Sequence, residues 1–205
     1  METQDIARSA ETAKVERDGV PYILLPRDPN HEFLRIMQHA TVEKRDDRYA
    51  DYLAILKAKG LEGYEPYAKA AKDIKPWEVV EGDFNAMVNG GIDLALDLLI
   101  GAGGTSYINA TGYLGVGTST LVANATYTAL QSQIVRVQCT STFPSRAAHI
   151  VTFKADFAGA VGDGAWQEWG VFNNSSAGTM LSRKVEYLGT KSGGTWTLTT
   201  TFTFA

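Results

Sequence analysis

The side chains able to do chemistry in this 205-residue chain are few: one cysteine, Cys139, and three histidines, His31, His39 and His149. One thiol excludes an internal disulfide framework and a multi-thiolate zinc site, and three scattered imidazoles leave little for a histidine metal cluster. Cys139 falls in register with Val135 and Val137 on the apolar side of an alternating segment, where a cysteine acts as a small hydrophobe. His149 opens a strand-like segment, and no Gly-x-Ser-x-Gly elbow accompanies it. Asp93 and Asp97 lie four residues apart, on one helix face, but calcium takes six or more oxygen ligands and no ligand-rich loop stands near them. Gly101-Ala-Gly-Gly-Thr-Ser106 is glycine-rich yet lacks the Gly-Lys-Ser/Thr ending of a phosphate loop. It also follows a helix, whose C-terminus repels anions. Asp156, Asp163 and Glu168 are too dispersed for sequence to pair them as a hydrolytic acid and base. The expectation is therefore no catalytic residues, no cofactor and no metal.

Aromatic residues are the better candidates for recognition. Trp166 and Trp169 differ by an odd number, so a regular strand puts them on opposite faces, Trp166 with Glu168 and Trp169 with Gln167. On that reading one indole is exposed, as a ligand-contact aromatic stacking on a sugar or as an interface anchor. The alternative is that a bulge intervenes, or that both are buried in a sheet covered on two sides.

The elements that would position these groups follow from a change of composition near the middle. Residues 1–100 hold 13 Lys/Arg and 19 Asp/Glu, net −6, whereas residues 101–205 hold 6 and 4, net +2. Threonine rises from 3 to 17 and glycine from 6 to 14, while five of the six prolines lie in the first half. Threonine suits a half-solvated pleated surface and glycine suits turns, so the second half reads as all-β and the first as helical and linker-like. Residues 1–20 read as polar, and mobile or draped on a partner, and Pro21-Tyr-Ile-Leu-Leu-Pro26 as an extended apolar arm. Tyr22, Ile23, Leu24 and Leu25 are its interface candidates, docking on their own domain or on a neighbouring subunit. Asn30 reads as the N-cap of a short helix with Phe33, Leu34, Ile36 and Met37 as its stripe. A second helix is expected from about Val42 or Lys44 to Lys59, with Tyr49, Tyr52, Leu53 and Leu56 at helical spacing and Gly60 behind it. Phe33, Tyr49 and Tyr52 join the arm residues as interface candidates. A third helix covers about Tyr67 to Asp73 and stops before Pro76.

Residues 1–76 thus read as an arm and helical anchoring region, and residues 77–205 as a β-sandwich domain with one helix near 91–100, ended by Gly101. Within the latter, Tyr113–Gly117 reads as a strand with a bulge or a close backbone approach. Further strands are expected over Gln133–Phe143, His149–Phe157, Ala165–Phe172 and Thr179–Leu188. The last segment places Trp196, Leu198, Thr200, Phe202 and Phe204 on one face and Thr195, Thr197, Thr199, Thr201 and Thr203 on the other. The fold class expected is mainly β, an antiparallel β-sandwich with an N-terminal extended arm and short α-helices.

The N-terminus is acidic and lacks an apolar core of the secretory kind, and Ile92–Ile100 is too short to span a bilayer, so synthesis in a cytoplasm is expected without membrane contact. A net charge of −4 argues against direct nucleic-acid binding.

Four segments carry a family resemblance. Asn89-Gly-Gly-Ile-Asp-Leu-Ala-Leu-Asp-Leu-Leu-Ile-Gly101, Tyr113-Leu-Gly-Val-Gly-Thr-Ser-Thr120, Ala165-Trp-Gln-Glu-Trp-Gly-Val-Phe-Asn173 and Met180-Leu-Ser-Arg-Lys-Val-Glu-Tyr-Leu-Gly-Thr-Lys191 resemble recurrent segments of tailed-bacteriophage virion structural proteins. The resemblance covers about residues 77–205 and rests on packing and turn motifs. It implies a non-enzymatic, multi-copy component of the virion, a capsid-decoration or minor head or tail protein made in the host bacterial cytoplasm. The partners it implies are other virion proteins, capsid or tail subunits, and further copies of the chain in a homo-oligomer. The alternative is a host-surface or glycan-binding module of a phage tail, with Trp166 or Trp169 on the glycan.

Overall fold

The computed structural model describes residues 36–83 and 86–204, together with the backbone of 13–17 and 20–24. The chain divides into two compact units, residues 1–34 and 35–205. In the first, β1 (Ala13–Arg17) and β2 (Val20–Leu24) pair antiparallel, Ala13 opposite Leu24 and Arg17 opposite Val20. The expected mobile tail and single extended arm are here, in part, a two-stranded ladder. Tyr22, Ile23 and Leu24 sit on β2 with their side chains outside the described residues. Leu25, Asn30 and Phe33 lie outside them altogether.

The second unit runs β3 (Ile36–Arg45), α1 (Arg48–Ala58), α2 (Glu65–Asp73), β4 (Glu78–Asp83), β5 (Ala86–Met87), α3 (Asn89–Ile100), β6 (Tyr113–Gly117), β7 (Gln133–Gln138), β8 (Ser145–Ala147), β9 (Ile150–Phe157), β10 (Gly164–Phe172), β11 (Met180–Lys191) and β12 (Thr195–Phe204). Two five-stranded antiparallel sheets result, in the orders β4-β3-β12-β9-β8 and β5-β11-β10-β6-β7. One buried cluster fills the space between them. Ala40, Val42, Phe153, Ala155, Phe157, Trp196, Leu198 and Phe202 come from the first sheet, and Leu114, Val116, Trp166, Trp169 and Val171 from the second.

Two expectations for the first half are corrected here. Ile36 and Met37 are not a helix stripe but the start of β3, and Val42 to Arg45 end that strand rather than open a helix. The physical reason is period two from Met37 to Lys44, with Gln38, Ala40, Val42 and Lys44 all turned inward. β12 supplies a full ladder for them, from Ile36 opposite Phe204 to Arg45 opposite Thr195. Gln38 is accommodated inside because its amide donates to Thr200 Oγ1 at 2.8 Å, and the Thr200 hydroxyl donates to the His39 carbonyl. The expected domain boundary between residues 76 and 77 is therefore not the structural one. β3 belongs to the acidic half, yet it lies inside a sheet between β4 and β12.

α1 and α2 cover part of the outer face of that sheet. Arg45 links the layers: its Nε donates to the Ile74 carbonyl, its Nη1 to Thr197 Oγ1, and its guanidinium lies 4.8 Å from the Tyr49 ring centroid. Thr195 and Thr197 are consequently buried, although alternation assigned them to the solvent side. Thr199, Thr201 and Thr203 stay half-buried as expected.

Candidate functional site

Trp166 and Trp169 are both in the core, 0 % and 2 % exposed, and neither can contact a ligand in this fold. The regular alternation fails because the β10–β11 register shifts between Trp166 and Glu168, and the extra residue Gln167 turns both indoles to the same side. Trp166 packs edge-on against Phe157 and Trp196, centroids 4.8 and 5.0 Å away, and its Nε1 donates to the Gly162 carbonyl at 2.7 Å.

The same shift turns Glu168 to the outer face of the sheet, where it meets Arg183. Glu168 Oε2 accepts from Arg183 Nε at 2.7 Å, with both side chains fully buried. The cover over them is the loop between β6 and β7. The Gln131 and Ser132 backbone N–H groups donate to the two Glu168 oxygens, and Arg183 Nη2 donates to the Leu121 carbonyl. Gly117 makes the close approach possible, because a Cβ there would collide with Ser132 O and the Glu168 carboxylate. The Gly115-Val-Gly117 strand thus does combine a close approach with a register shift, here against β7. Every polar partner in this cluster is structural, so it is a staple for the loop.

The other reactive groups do not converge. The Cys139 thiol is buried and pushed up to about 12 by desolvation, so it is protonated and shielded at neutral pH. His149 is exposed, and His39 sits on β3 with Nε2 3.3 Å from Thr41 Oγ1. No group of three or more His, Cys, Asp or Glu side chains suited to a metal occurs among the described residues. Among the interface candidates, Tyr49 is fully buried against Leu56 and Ala70 and offers no surface. Tyr52 is half-buried on the same cluster, its hydroxyl donating to Asp73 Oδ2 at 2.8 Å, and it lines a shallow groove with Arg48, Asp51, Ile55 and Ile74.

The feature best suited to contact is α3. Its inner side is fixed by Gly91, where a Cβ would run into the Leu181 backbone, and by buried Leu94. The Val88 N–H donates to the Leu181 carbonyl and the Asn89 N–H to the Ala125 carbonyl, and Gly101 closes the helix in the left-handed region at φ 72°. Ile92, Leu96, Leu99 and Ile100 face water instead, Leu99 and Ile100 at 80 % and 77 % exposure. Their spacing is i, i+4, i+7 and i+8, one continuous stripe on a helix. Asp93 and Asp97 are the only charges on α3. Sequence reading located this helix but saw only its buried use. The available signal was an excess of apolar positions over what one packed face can hide. A second missed residue is Trp77, 65 % exposed just before β4.

The chain matches no protein-family model, no curated protein and no solved structure.

Proposed function

We propose that this chain is a non-enzymatic structural protein of a bacteriophage particle, a multi-copy capsid-decoration or minor head or tail component. The observation that carries this reading is the exposed stripe Ile92, Leu96, Leu99 and Ile100 on α3. An ordered apolar helix face held out from a packed sheet is what a subunit contact needs, because its burial is the main favourable term in association. The stripe is rimmed by Asp93 and Asp97 with no cation on the helix. The partner is therefore another virion subunit presenting an apolar strip edged by Lys or Arg. The sequence resemblance over residues 77–205 supports the same assignment, with synthesis in the bacterial host and residence in the virion.

The test is to purify particles from a lysate of the source bacterium through a density gradient and quantify this chain by mass spectrometry. Co-banding with the major capsid protein at a fixed ratio after high-salt washing is the expected result. Absence from washed particles refutes the assignment. Leu99→Glu with Ile100→Glu, which lie in water and leave the core untouched, should remove the chain from particles without unfolding it.

A further inference from the structure

One end of the sandwich carries a cleft of about 340 Å³ lined by Arg45, Asp46, Asp47, Trp77 and Trp196 and by the turn that holds Thr190, Ser192, Gly193 and Gly194. That volume is at the lower end of small-ligand sites, about 300 to 1,000 Å³. Its walls are tied together by named bonds. The Trp77 N–H donates to the Lys44 carbonyl at 2.9 Å, the Gly194 N–H to Asp47 Oδ1 at 3.0 Å, and the Gly193 N–H to the Asp163 carboxylate. Asp163 is held in turn by the buried Lys191 at 2.8 Å. Gly193 and Gly194 both have φ near +65°, and a Cβ on Gly194 would collide with the Arg45 carbonyl, so the turn is fixed in a form other residues resist. The cleft is thus preorganised, which lowers the cost of binding.

Its chemistry selects the ligand class. Trp77 offers a large exposed indole face, an apolar platform on a backbone anchored to β3. The Lys44 ammonium stands 5.7 Å from the Trp77 ring centroid and is paired with Glu78 at 2.9 Å. A second cation over that ring would meet this charge, so a quaternary amine is disfavoured. The Asp47 carboxylate disfavours an anion. Arg45 and Arg48, the guanidinium groups of this corner, are occupied by Glu43 and Asp46. What fits is a neutral molecule with one apolar face and a rim of hydroxyls. Its C–H face lies on Trp77, and its hydroxyls donate to the Asp47 carboxylate and exchange hydrogen bonds with Ser192 and Thr190. We propose that the Trp77 cleft binds a neutral pyranose sugar, independently of the α3 contact and of the particle assignment.

The test uses the full chain with methyl glycosides of glucose, galactose, mannose and N-acetylglucosamine as probes, read by saturation-transfer NMR and by tryptophan fluorescence. Trp166 and Trp169 are buried away from the cleft and Trp196 lines it with Trp77, so a ligand-induced spectral shift reports this cleft and its loss in Trp77→Ala assigns it to Trp77. At least one neutral glycoside should bind, with Trp77→Ala weakening it tenfold or more and Trp77→Phe only partly. Ser192→Trp, which fills the cleft and leaves Trp77 in place, should give the same loss in a chain whose circular dichroism is unchanged. Methyl glucuronide and tetramethylammonium should not bind. Silence from all four neutral probes, or binding that survives both Trp77→Ala and Ser192→Trp, overturns the proposal.

Discussion

Replacing Arg183 with methionine strands a carboxylate. In the native chain Glu168 and Arg183 are both inaccessible to water and meet at 2.7 Å, so neither charge can be hydrated when its partner goes. Removing one member of a buried pair costs about 3–5 kcal/mol, chiefly the penalty of the charge left behind. Glu168 retains two backbone donors, the Gln131 and Ser132 N–H groups, which places the loss toward the lower end of that range. The lost bond from Arg183 Nη2 to the Leu121 carbonyl adds about 1 kcal/mol. The expected total is about 3–4 kcal/mol, or roughly a 6–16 °C fall in Tm at about 2–4 °C per kcal/mol for a unit of this size. Urea unfolding followed by tryptophan fluorescence measures it. The double variant Glu168→Gln with Arg183→Met removes both charges and should cost at least about 1.5 kcal/mol less than the two single losses summed, as expected for partners in one network. Hydrogen exchange supplies the local readout. The Gln131 and Ser132 amides should lose protection while the β12 amides keep theirs. A loss below about 1 kcal/mol for Arg183→Met, or additive single effects, would refute the staple.

The two core tryptophans should respond differently to phenylalanine. Trp166→Phe strands the Gly162 carbonyl, whereas Trp169 Nε1 has no partner among the described residues, so Trp166→Phe should cost about 1–3 kcal/mol more in the same urea assay. Asp156 is pushed up by burial, with Thr197 Oγ1 donating to it at 2.6 Å only partly offsetting this. A carboxyl whose folded pKa lies above its unfolded value binds its proton more tightly when folded, so its contribution falls as pH rises between those two values and then levels off. Asp156→Asn should therefore be more stable than the native chain at pH 7, with the advantage shrinking as pH falls toward about 4. Paired melts across pH check this, because the depressed carboxyls Asp46, Asp73 and Asp163 are common to both proteins and cancel. Cys139 should react with a thiol reagent only as fast as the chain unfolds, and fast labelling of the native protein would contradict its burial.

What could be read from sequence was what period and turn chemistry express locally. The β12 alternation survives in the structure from Leu198 to Thr203, and Gly101 closes α3 as expected. β3 was illegible because its inward positions include Gln38 and Lys44, polar residues that only distant partners make acceptable. Gln38 needs Thr200, 162 positions along the chain, and Lys44 needs Glu78 and the Trp196 face 4.4 Å away. The two tryptophans show the complementary failure. Counting by twos is sound until one inserted residue reverses it, and the Gln167 bulge is fixed by pairing with β11 rather than by anything in Ala165–Trp169 itself.

α3 brings these threads together. A helix on a sheet needs one apolar face, and Gly91, Leu94 and the half-buried Leu98 supply it. Ile92, Leu96, Leu99 and Ile100 exceed that need and stand on the other side. Surplus apolar residues on an exposed helix lower solubility, and a chain that tolerates them gains by covering them with another surface. In the proposed contact Asp93 and Asp97 are the polar edge of that surface and would set by charge which partners fit.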